Sequence, residues 1–309
     1  MKHPACGILQ SVLQKNEKGC EMTGWLIVNS FIHSAKFSEL YRMFRASAEK
    51  NGVEIEIKKS SSVLHCAGAF PEEAGRPDFV IFWDKDIYLA RELEMAGLRV
   101  FNSSRSIELC DNKIKTALSL SGKVPCPETI AAPKTFEGVG YNDLSFLERA
   151  GALLHYPMII KEAYGSFGQQ VYLAKNEEDA AAIVKKIGHK DFLMQKYIAN
   201  SHGRDVRICV IGNRVAASML RCNPNDFRSN ITGGGQMLPC SPDEEQSRVA
   251  IAACQALGLD FAGVDVLFGE NDQPLICEVN SNPHFRSTFD CTGIDLSDLI
   301  LKYILRKIS

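Results

Sequence analysis

The first hundred residues alternate between short apolar runs and amphipathic stretches. The run GWLIVNS ends at polar residues and is typical of a buried strand. Residues 36–50 repeat apolar positions at helical spacing and end at an Asn-Gly pair. Alternating strands and helices predict a small open parallel sheet. The predicted strands cover 24–30, 53–58, 77–83 and 98–102, and the predicted helices cover 36–50 and 87–97.

From about residue 110 onward, hairpins replace this alternation, which predicts an α+β region. The stretch RDVRICVIGNRVAASMLR reads as two strands joined at a Gly-Asn turn. In NEEDAAAIVKKIG, Asn176 is placed to cap a helix and Gly188 to end it. A single helix is predicted over 104–122, ended by Gly122. Further helices are predicted over 242–258 and 296–308.

The hairpin at 263–283, GVDVLFGENDQPLICEVNSNP, carries polar residues inside apolar strands. A symmetric register with Gly269 opposite Pro274 places Asp265 opposite Glu278 and Leu267 opposite Ile276. The same register puts Ile276, Glu278 and Asn280 on one face.

Opposed carboxylates repel at a Cβ separation of about 5 Å, and a divalent cation removes that penalty. Two acids and an amide suit Mg²⁺. Alternatively, the acids face solvent at a sheet edge and Asn280 caps a turn.

Two glycine-containing loops are candidate phosphate sites. Lys161 ends a strand before a loop that contains Gly165, Ser166 and Gly168. The small residues of this loop let backbone N–H groups approach phosphate oxygens closely. A plain hairpin turn is the alternative, because the Walker pattern is absent. Lys113, on a helix, is a second candidate cation or an ordinary surface lysine.

The second loop is NDFRSNITGGGQ. Arg228 offers a planar donor fork for phosphate or carboxylate, and Asn230 could join a metal or phosphate. The glycine run 233–235 indicates close approach of the main chain to a ligand, or else a flexible surface loop.

Composition narrows the class of protein. The chain has 309 residues, is 45% hydrophobic and carries a formal net charge of −2, so no electrostatic argument favours nucleic acid. No apolar run approaches the roughly 20 residues of a membrane span. Eleven cysteines at irregular spacing indicate reduced thiols in a cytoplasmic protein rather than a zinc site. Residues 1–21 lack the pattern of a signal peptide and are predicted to be a flexible extension.

Together these motifs resemble the ATP-grasp superfamily, and most closely its RimK-type subfamily of glutamate ligases and their amino-acid-adding relatives. The resemblance covers roughly residues 105–300, through DNKIKTALSLSGKVPCPET, MIIKEAYGSFGQQVYL, MQKYI, GRDVRICVIG, DFRSNITGGG, FAGVDVL, EVNSNP and TGID. It implies an ATP-grasp fold preceded by a small open parallel-sheet domain. The implied divisions are the extension 1–21, the preceding domain 22–108, the small lid subdomain 109–190, and the C-terminal subdomain with the metal site, 191–309.

The resemblance also implies roles for individual residues. The phosphate lysines are Lys113 and Lys161, and Arg228 stabilises the acyl-phosphate stage. The implied magnesium ligands are Asp265, Glu278 and Asn280. The remaining nucleotide contacts are Ser166, Gly168, Gln195, Lys196, Tyr197, Ile198, Asp205, Arg207 and Asn230, and the substrate contacts are Arg221, Gly233, Gly234, Asn282 and His284.

Two departures from the family pattern matter. Lys196 stands where close relatives often have an acid, although backbone groups do most of the adenine recognition. After Asn282 this chain has HFRSTFDCTG, where the glutamate ligases carry a smaller Gly-containing segment. The acceptor therefore stays open, and His284 is either a substrate contact or a helix-start residue.

The implied activity is ATP-dependent carboxylate–amine ligation through an acyl phosphate, adding glutamate or a similar amino acid to a peptide or protein C-terminus. Alternatives are a ligase that joins an amino acid to a small metabolite or carrier protein, a phosphoryl transferase, and a non-catalytic ATP-binding regulator. The implied cofactors are ATP and two Mg²⁺ ions, with Mn²⁺ as a substitute. Nucleic acid and membrane partners are not expected. A homodimer or homotetramer is expected.

Overall fold

The computed structural model describes residues 22–63, 75–230 and 234–309. The predicted extension 1–21 and the candidate residue Gly233 lie outside these ranges. The first sheet is parallel throughout, in the order β2-β1-β3-β4, as predicted. Its elements are β1 (Thr23–Val28), α1 (Ala35–Lys50), β2 (Glu54–Lys59), β3 (Phe79–Trp83), α2 (Ile87–Met95) and β4 (Val100–Phe101).

Both faces of the sheet are buried at β1 and β3, which explains the uninterrupted apolar runs of these two strands. Leu26 and Ile81 pack on the side of α1, while Ile27 and Phe82 pack on the side of α2. Edge strand β2 alternates apolar and polar residues instead, and β3 is directly followed by the acidic residue Asp84.

The helix predicted over 104–122 is two helices, α3 (Ser104–Asp111) and α4 (Lys113–Leu120). Asn112 leaves the helical conformation, with φ −102° and ψ 110°. Its side-chain oxygen accepts hydrogen bonds from the backbone amides of Ile114 and Lys115, in the first turn of α4. The single-helix prediction was wrong because an Asn side chain competes for backbone donors and favours a cap. The break gives α4 an N-terminus at Lys113, whose amide donates to the Ala163 carbonyl at 2.9 Å.

The second sheet is antiparallel, in the order β5-β8-β6-β7. Its elements are β5 (Thr129–Ala131), α5 (Phe146–Leu154), β6 (Met158–Glu162), β7 (Val171–Ala174), α6 (Glu177–Ile187) and β8 (Phe192–Lys196). As predicted, the Asn176 side chain caps α6, and Gly188, with φ +70°, ends it. Strand β8 belongs to this sheet although it lies beyond residue 190, where the small lid subdomain was predicted to end. The division of the chain into domains stays a prediction.

The third sheet is antiparallel, in the order β11-β10-β9-β12-β13, and confirms the predicted hairpins. Helix α7 packs on one face, and α8 and α9 lie on the other, where α9 also packs on α1. The elements are β9 (Arg204–Ile211), β10 (Arg214–Cys222), β11 (Gln236–Pro239), α7 (Glu244–Leu257), β12 (Phe261–Phe268), β13 (Pro274–Asn280), α8 (Arg286–Thr292) and α9 (Leu296–Ile308).

The register of the β12–β13 hairpin is correct at the acids and wrong toward the turn. Asp265 pairs with Glu278 as predicted, but a bulge after Asp265 makes Leu267 pair with Leu275 instead of Ile276. The bulge adds one residue to β13, which a symmetric pairing rule does not anticipate.

The bulge also changes which side chains share a face. Ile276 and Val279, three residues apart, both enter the core under α7. Cys277 and Glu278 face a cleft on the other side. The prediction that Ile276 and Glu278 share a face was therefore wrong.

A fully buried asparagine joins the first sheet to the third. The Asn102 amide donates to the carbonyls of Phe261 and Ser281, both at 2.9 Å, and its oxygen accepts from the Asp260 amide at 2.7 Å. These bonds fix the carboxyl edge of the parallel sheet beside β12 and the end of β13.

In the described ranges, no helix combines the length and apolarity needed to cross a bilayer.

Candidate active site

A cleft between the second and third sheets collects most of the predicted site residues. We call it the first cleft; its volume, open solvent included, is about 850 Å³. The predicted residues that line it are Lys113, Lys161, Ser166, Gly168, Gln195, Lys196, Tyr197, Ile198, Asp205, Arg221, Arg228, Asn230, Asp265 and Glu278.

The second cleft lies between the parallel sheet and the third sheet, with an open volume of about 1960 Å³. Arg207, Asn280, Asn282 and His284 line it. The two clefts share part of their walls, namely Ser166, Arg221, Asn230 and Glu278. Of the predicted site residues that the structure describes, Gly234 lines neither cleft.

Two lysines approach the shared wall from different elements. Lys113, at the start of α4, donates from Nζ to the Gly165 carbonyl at 3.0 Å, and its Nζ lies 3.8 Å from Glu278 Oε1. Burial lowers the pKa of Lys113, and nearby Lys161 lowers it further, while Glu278 acts in the opposite direction. Lys161, on β6, is 7% exposed and donates to Cys277 Sγ at 3.4 Å.

Two arginines and two aspartates form a buried chain of ion pairs between the clefts. Arg221 donates to Asp205 at 2.7 and 2.5 Å and to Asp265 Oδ2 at 2.9 Å. Arg207 donates to both oxygens of Asp265 at 2.6 Å. The Ser229 hydroxyl completes the shell of Asp205 at 2.6 Å.

The opposite charges of these ion-paired side chains keep one another ionised. Burial raises the pKa of Asp265, but the guanidiniums of Arg207 and Arg221 outweigh it and hold the pKa below its usual range. Burial opposes the charge of Arg221, but Asp265 and Asp205 outweigh it and raise the pKa of Arg221.

Arg228 joins the two glycine-containing loops. Its Nε and Nη2 bond to Asp226 at 3.0 and 2.7 Å, while Nη1 donates to the Gly168 carbonyl at 2.8 Å. The hydrogen bonds to Asp226 raise the pKa of Arg228. Gly168 has φ +73°, and a Cβ there would meet Asn230 Oδ1 at 2.6 Å, so the two loops touch only because this position lacks a side chain.

The hairpin end offers three oxygen-bearing side chains of the kind that Mg²⁺ prefers. Among the described residues, the one ionic neighbour of Glu278 is Lys113, 3.8 Å away, and Asn280 lines the second cleft together with Glu278. Asp265 Oδ1 accepts one hydrogen bond, which leaves a lone pair. The donor set therefore fits a divalent cation. Within the described part of the chain, no group of three or more His, Cys, Asp or Glu side chains could hold a metal by itself.

Several residues of these clefts escaped the sequence reasoning. Cys277 faces the first cleft because of the bulge, and Ser229 and Asp226 bond the functional side chains Asp205 and Arg228. Asp84 lines the second cleft. A signal for Asp84 was available, since ligand sites of open parallel sheets lie at the carboxyl ends of strands.

Comparison with known proteins identifies relatives of this chain. The model of the RimK-like ATP-grasp domain matches residues 95–304. Human beta-citrylglutamate synthase B is 34% identical over 223 residues, which cover 71% of this chain and 56% of that protein. Human N-acetylaspartylglutamate synthase A is 34% identical over 225 residues, covering 72% and 56%. An uncharacterized protein of Mycoplasma genitalium is 30% identical over 280 residues, covering 88% and 95%.

The chain belongs to the RimK-like ATP-grasp family. It spans about half the length of the human relatives it matches. Solved structures agree on the ATP-grasp fold. A RimK domain protein from Sphaerobacter thermophilus has a TM-score of 0.70 at 19% identity, covering 91% of this chain and 98% of that one. A D-alanine–D-alanine ligase from Bacillus anthracis, complexed with ATP, has a TM-score of 0.68 at 17% identity, covering 93% and 98%.

Proposed function

We propose that this protein is an ATP-dependent carboxylate–amine ligase that forms an amide bond through an acyl phosphate. One observation carries the proposal: the two clefts share the wall formed by Ser166, Arg221, Asn230 and Glu278. A nucleotide in the first cleft with its γ-phosphate at this wall meets a carboxylate in the second cleft. Phosphoryl transfer needs such positioning and charge neutralisation rather than a protein nucleophile.

The first cleft holds ATP in this proposal. Lys113 and Lys161 approach from two elements and neutralise phosphate charge. Residues 195–198, at the end of β8, recognise adenine largely through backbone groups. Asp205 is assigned to the ribose, although its two oxygens already accept from Arg221 and Ser229, so it also orients Arg221.

Asp265, Glu278 and Asn280 would hold Mg²⁺, and Mn²⁺ would replace it. The proposal includes a second metal ion. A bound divalent cation offsets phosphate charge. The chain's own groups orient the reactants: Arg228 meets charge at the acyl centre, and its bond to the Gly168 carbonyl holds the loop that excludes water. Arg207 contacts phosphate, and Arg221, Asn282 and His284 contact substrate. The predicted substrate contact Gly234 is not part of this proposal, because it lines neither cleft.

The names of relatives support glutamate as the amine. They include a beta-citrylglutamate synthase, an N-acetylaspartylglutamate synthase and a probable alpha-L-glutamate ligase of Rhodopirellula baltica. The carboxylate is a peptide or protein C-terminus in the first version of the proposal. A small metabolite or carrier protein is the second version, favoured by the metabolite names of the human relatives. We also propose a cytoplasmic location and a homo-oligomer.

The metal assignment is tested by Glu278→Gln, which removes a ligand charge at nearly constant shape. We expect Mg²⁺-dependent formation of ADP to fall to background while the melting temperature stays within a few degrees. Glu270→Gln, in the exposed turn of the same hairpin, is the matched control and should keep full activity. Full activity of Glu278→Gln would contradict the metal assignment.

A further inference from the structure

Unpartnered buried polar atoms concentrate in the second cleft. Six buried side-chain atoms of the described residues have no hydrogen-bond partner, and four of them belong to residues that line this cleft. They are Asp84 Oδ2, Asn280 Nδ2, Asn282 Oδ1 and His284 Nε2. Buried polar groups are normally paired, so such a cluster indicates a site for a polar ligand or for ordered water.

Asp84 is the charged member of this cluster. It directly follows β3 and is 6% exposed. Its Oδ1 accepts from the Asn29 side chain at 3.0 Å and from the Lys85 amide at 2.7 Å, while Oδ2 accepts nothing. The adjacent Lys85 side chain pairs with Asp111 instead. A buried carboxylate oxygen without a donor is costly, and a cationic donor would relieve that cost.

Asn282 and His284 contribute two more acceptors. The Asn282 amide donates to the Asp84 carbonyl at 2.8 Å, which leaves its Oδ1 as an acceptor without a donor. His284 bonds to the backbone at Lys36 and leaves Nε2 unpartnered. Burial lowers the pKa of His284, and a neutral ring presents a lone pair at that nitrogen.

A primary ammonium group carries three N–H donors and one positive charge. We propose that Asp84, Asn282 and His284 bind the ammonium group of the amine substrate, which is an L-amino acid. The assignment rests on the proposed ligase function and names the residues that receive the amine. Lys36 lines the same cleft and supplies a positive charge for the carboxylate of that amino acid.

The test is calorimetric binding of each of the twenty common L-amino acids to the full chain, with Mg²⁺ and a non-hydrolysable ATP analogue present. The tightest binder is then compared with its analogue lacking the α-ammonium group. We expect the wild type to prefer the amino acid by about tenfold or more, because charge-assisted hydrogen bonds are lost with the ammonium group.

Asp84→Asn should abolish that preference. The substitution keeps an oxygen for Asn29 and Lys85 and removes only the charge, so the fold should survive. Asp290→Asn is the matched control: Asp290 is an exposed acid at the rim of the same cleft, paired with Arg286, and its variant should keep the preference. Affinity for the ATP analogue should be equal in all three proteins.

Two results would overturn the proposal. One is a wild type that binds the ATP analogue but no amino acid. The other is an Asp84→Asn variant that keeps the preference for the ammonium group, which would assign the unpartnered atoms to bound water. Amino-acid binding without any amide formation would contradict the ligase function and leave the ammonium site standing, so the two failures are distinguishable.

Discussion

Removing Arg221 should destabilise the fold far more than removing an exposed arginine. Arg221 is 4% exposed and lies between two buried carboxylates, those of Asp205 and Asp265. In Arg221→Met, Asp265 keeps Arg207, but Asp205 keeps only the Ser229 hydroxyl. Breaking a buried pair and leaving one charge uncompensated costs about 3–5 kcal/mol, so we expect a loss of that size in the free energy of unfolding.

The measurement is urea unfolding at neutral pH without nucleotide. Arg248→Met is the matched control, because Arg248 pairs with Glu245 on the exposed face of α7. An exposed pair of that kind contributes about 0–1 kcal/mol. The double variant Asp205→Asn/Arg221→Met should recover at least about 1 kcal/mol relative to the sum of the two single variants, because the orphaned charge is gone. A loss in Arg221→Met no larger than in Arg248→Met, or strict additivity in the double variant, would refute the reasoning.

Three further variants test other parts of the account. Gly203→Ala should cost roughly 2–5 kcal/mol, since its Cβ would lie 2.1 Å from the Asn223 carbonyl oxygen at φ +66°, while Gly97→Ala, with open space at φ +83°, should cost about 1–2 kcal/mol in the same urea assay. Burial raises the pKa of Asp298, but hydrogen bonds from three neighbouring side chains hold it below the usual value; its stabilisation is therefore present above the unfolded pKa of about 4 and is lost as pH falls through the lower folded pKa. Wild type and Asp298→Asn should thus differ in stability at pH 7 and converge in acid, and a constant difference would contradict this. Lys161→Met should weaken ATP binding about tenfold or more in a fluorescence titration, and unchanged affinity would remove Lys161 from the phosphate site.

The periodicity of apolar residues was enough to predict the parallel sheet and the β9–β10 and β12–β13 hairpins. Strands β1 and β3 are buried on both faces, so their apolar runs are unambiguous, and α6 is bounded by a clear cap and stop. The opposition of Asp265 and Glu278 also followed from the sequence, because alternation and a short turn nearly fix the register.

The failures occur where one residue changes the local geometry. Asn112 divides a helix because its side chain satisfies the backbone donors of the next helix. The bulge in β13 shifts the faces of Ile276 and Cys277, and no pairing rule reveals an inserted residue. The ion pair of Arg221 with Asp265 was unpredictable for another reason: β10 and β12 come together only in the folded sheet. The pair of Arg221 with Asp205 crosses the predicted β9–β10 hairpin, where a bulge between Val215 and Ala217 shifts the register.

The most direct test of the ligase proposal is ATP consumption with Mg²⁺ across pairs of carboxylates and amines, including peptide acceptors, with mass spectrometry of the products. The account predicts that turnover requires one particular pair and yields ADP, phosphate and amide in equal amounts. ATP binding without turnover for any pair would contradict it in favour of a nucleotide-binding regulator. A phosphorylated product that accumulates irrespective of the amine would contradict it in favour of a phosphoryl transferase.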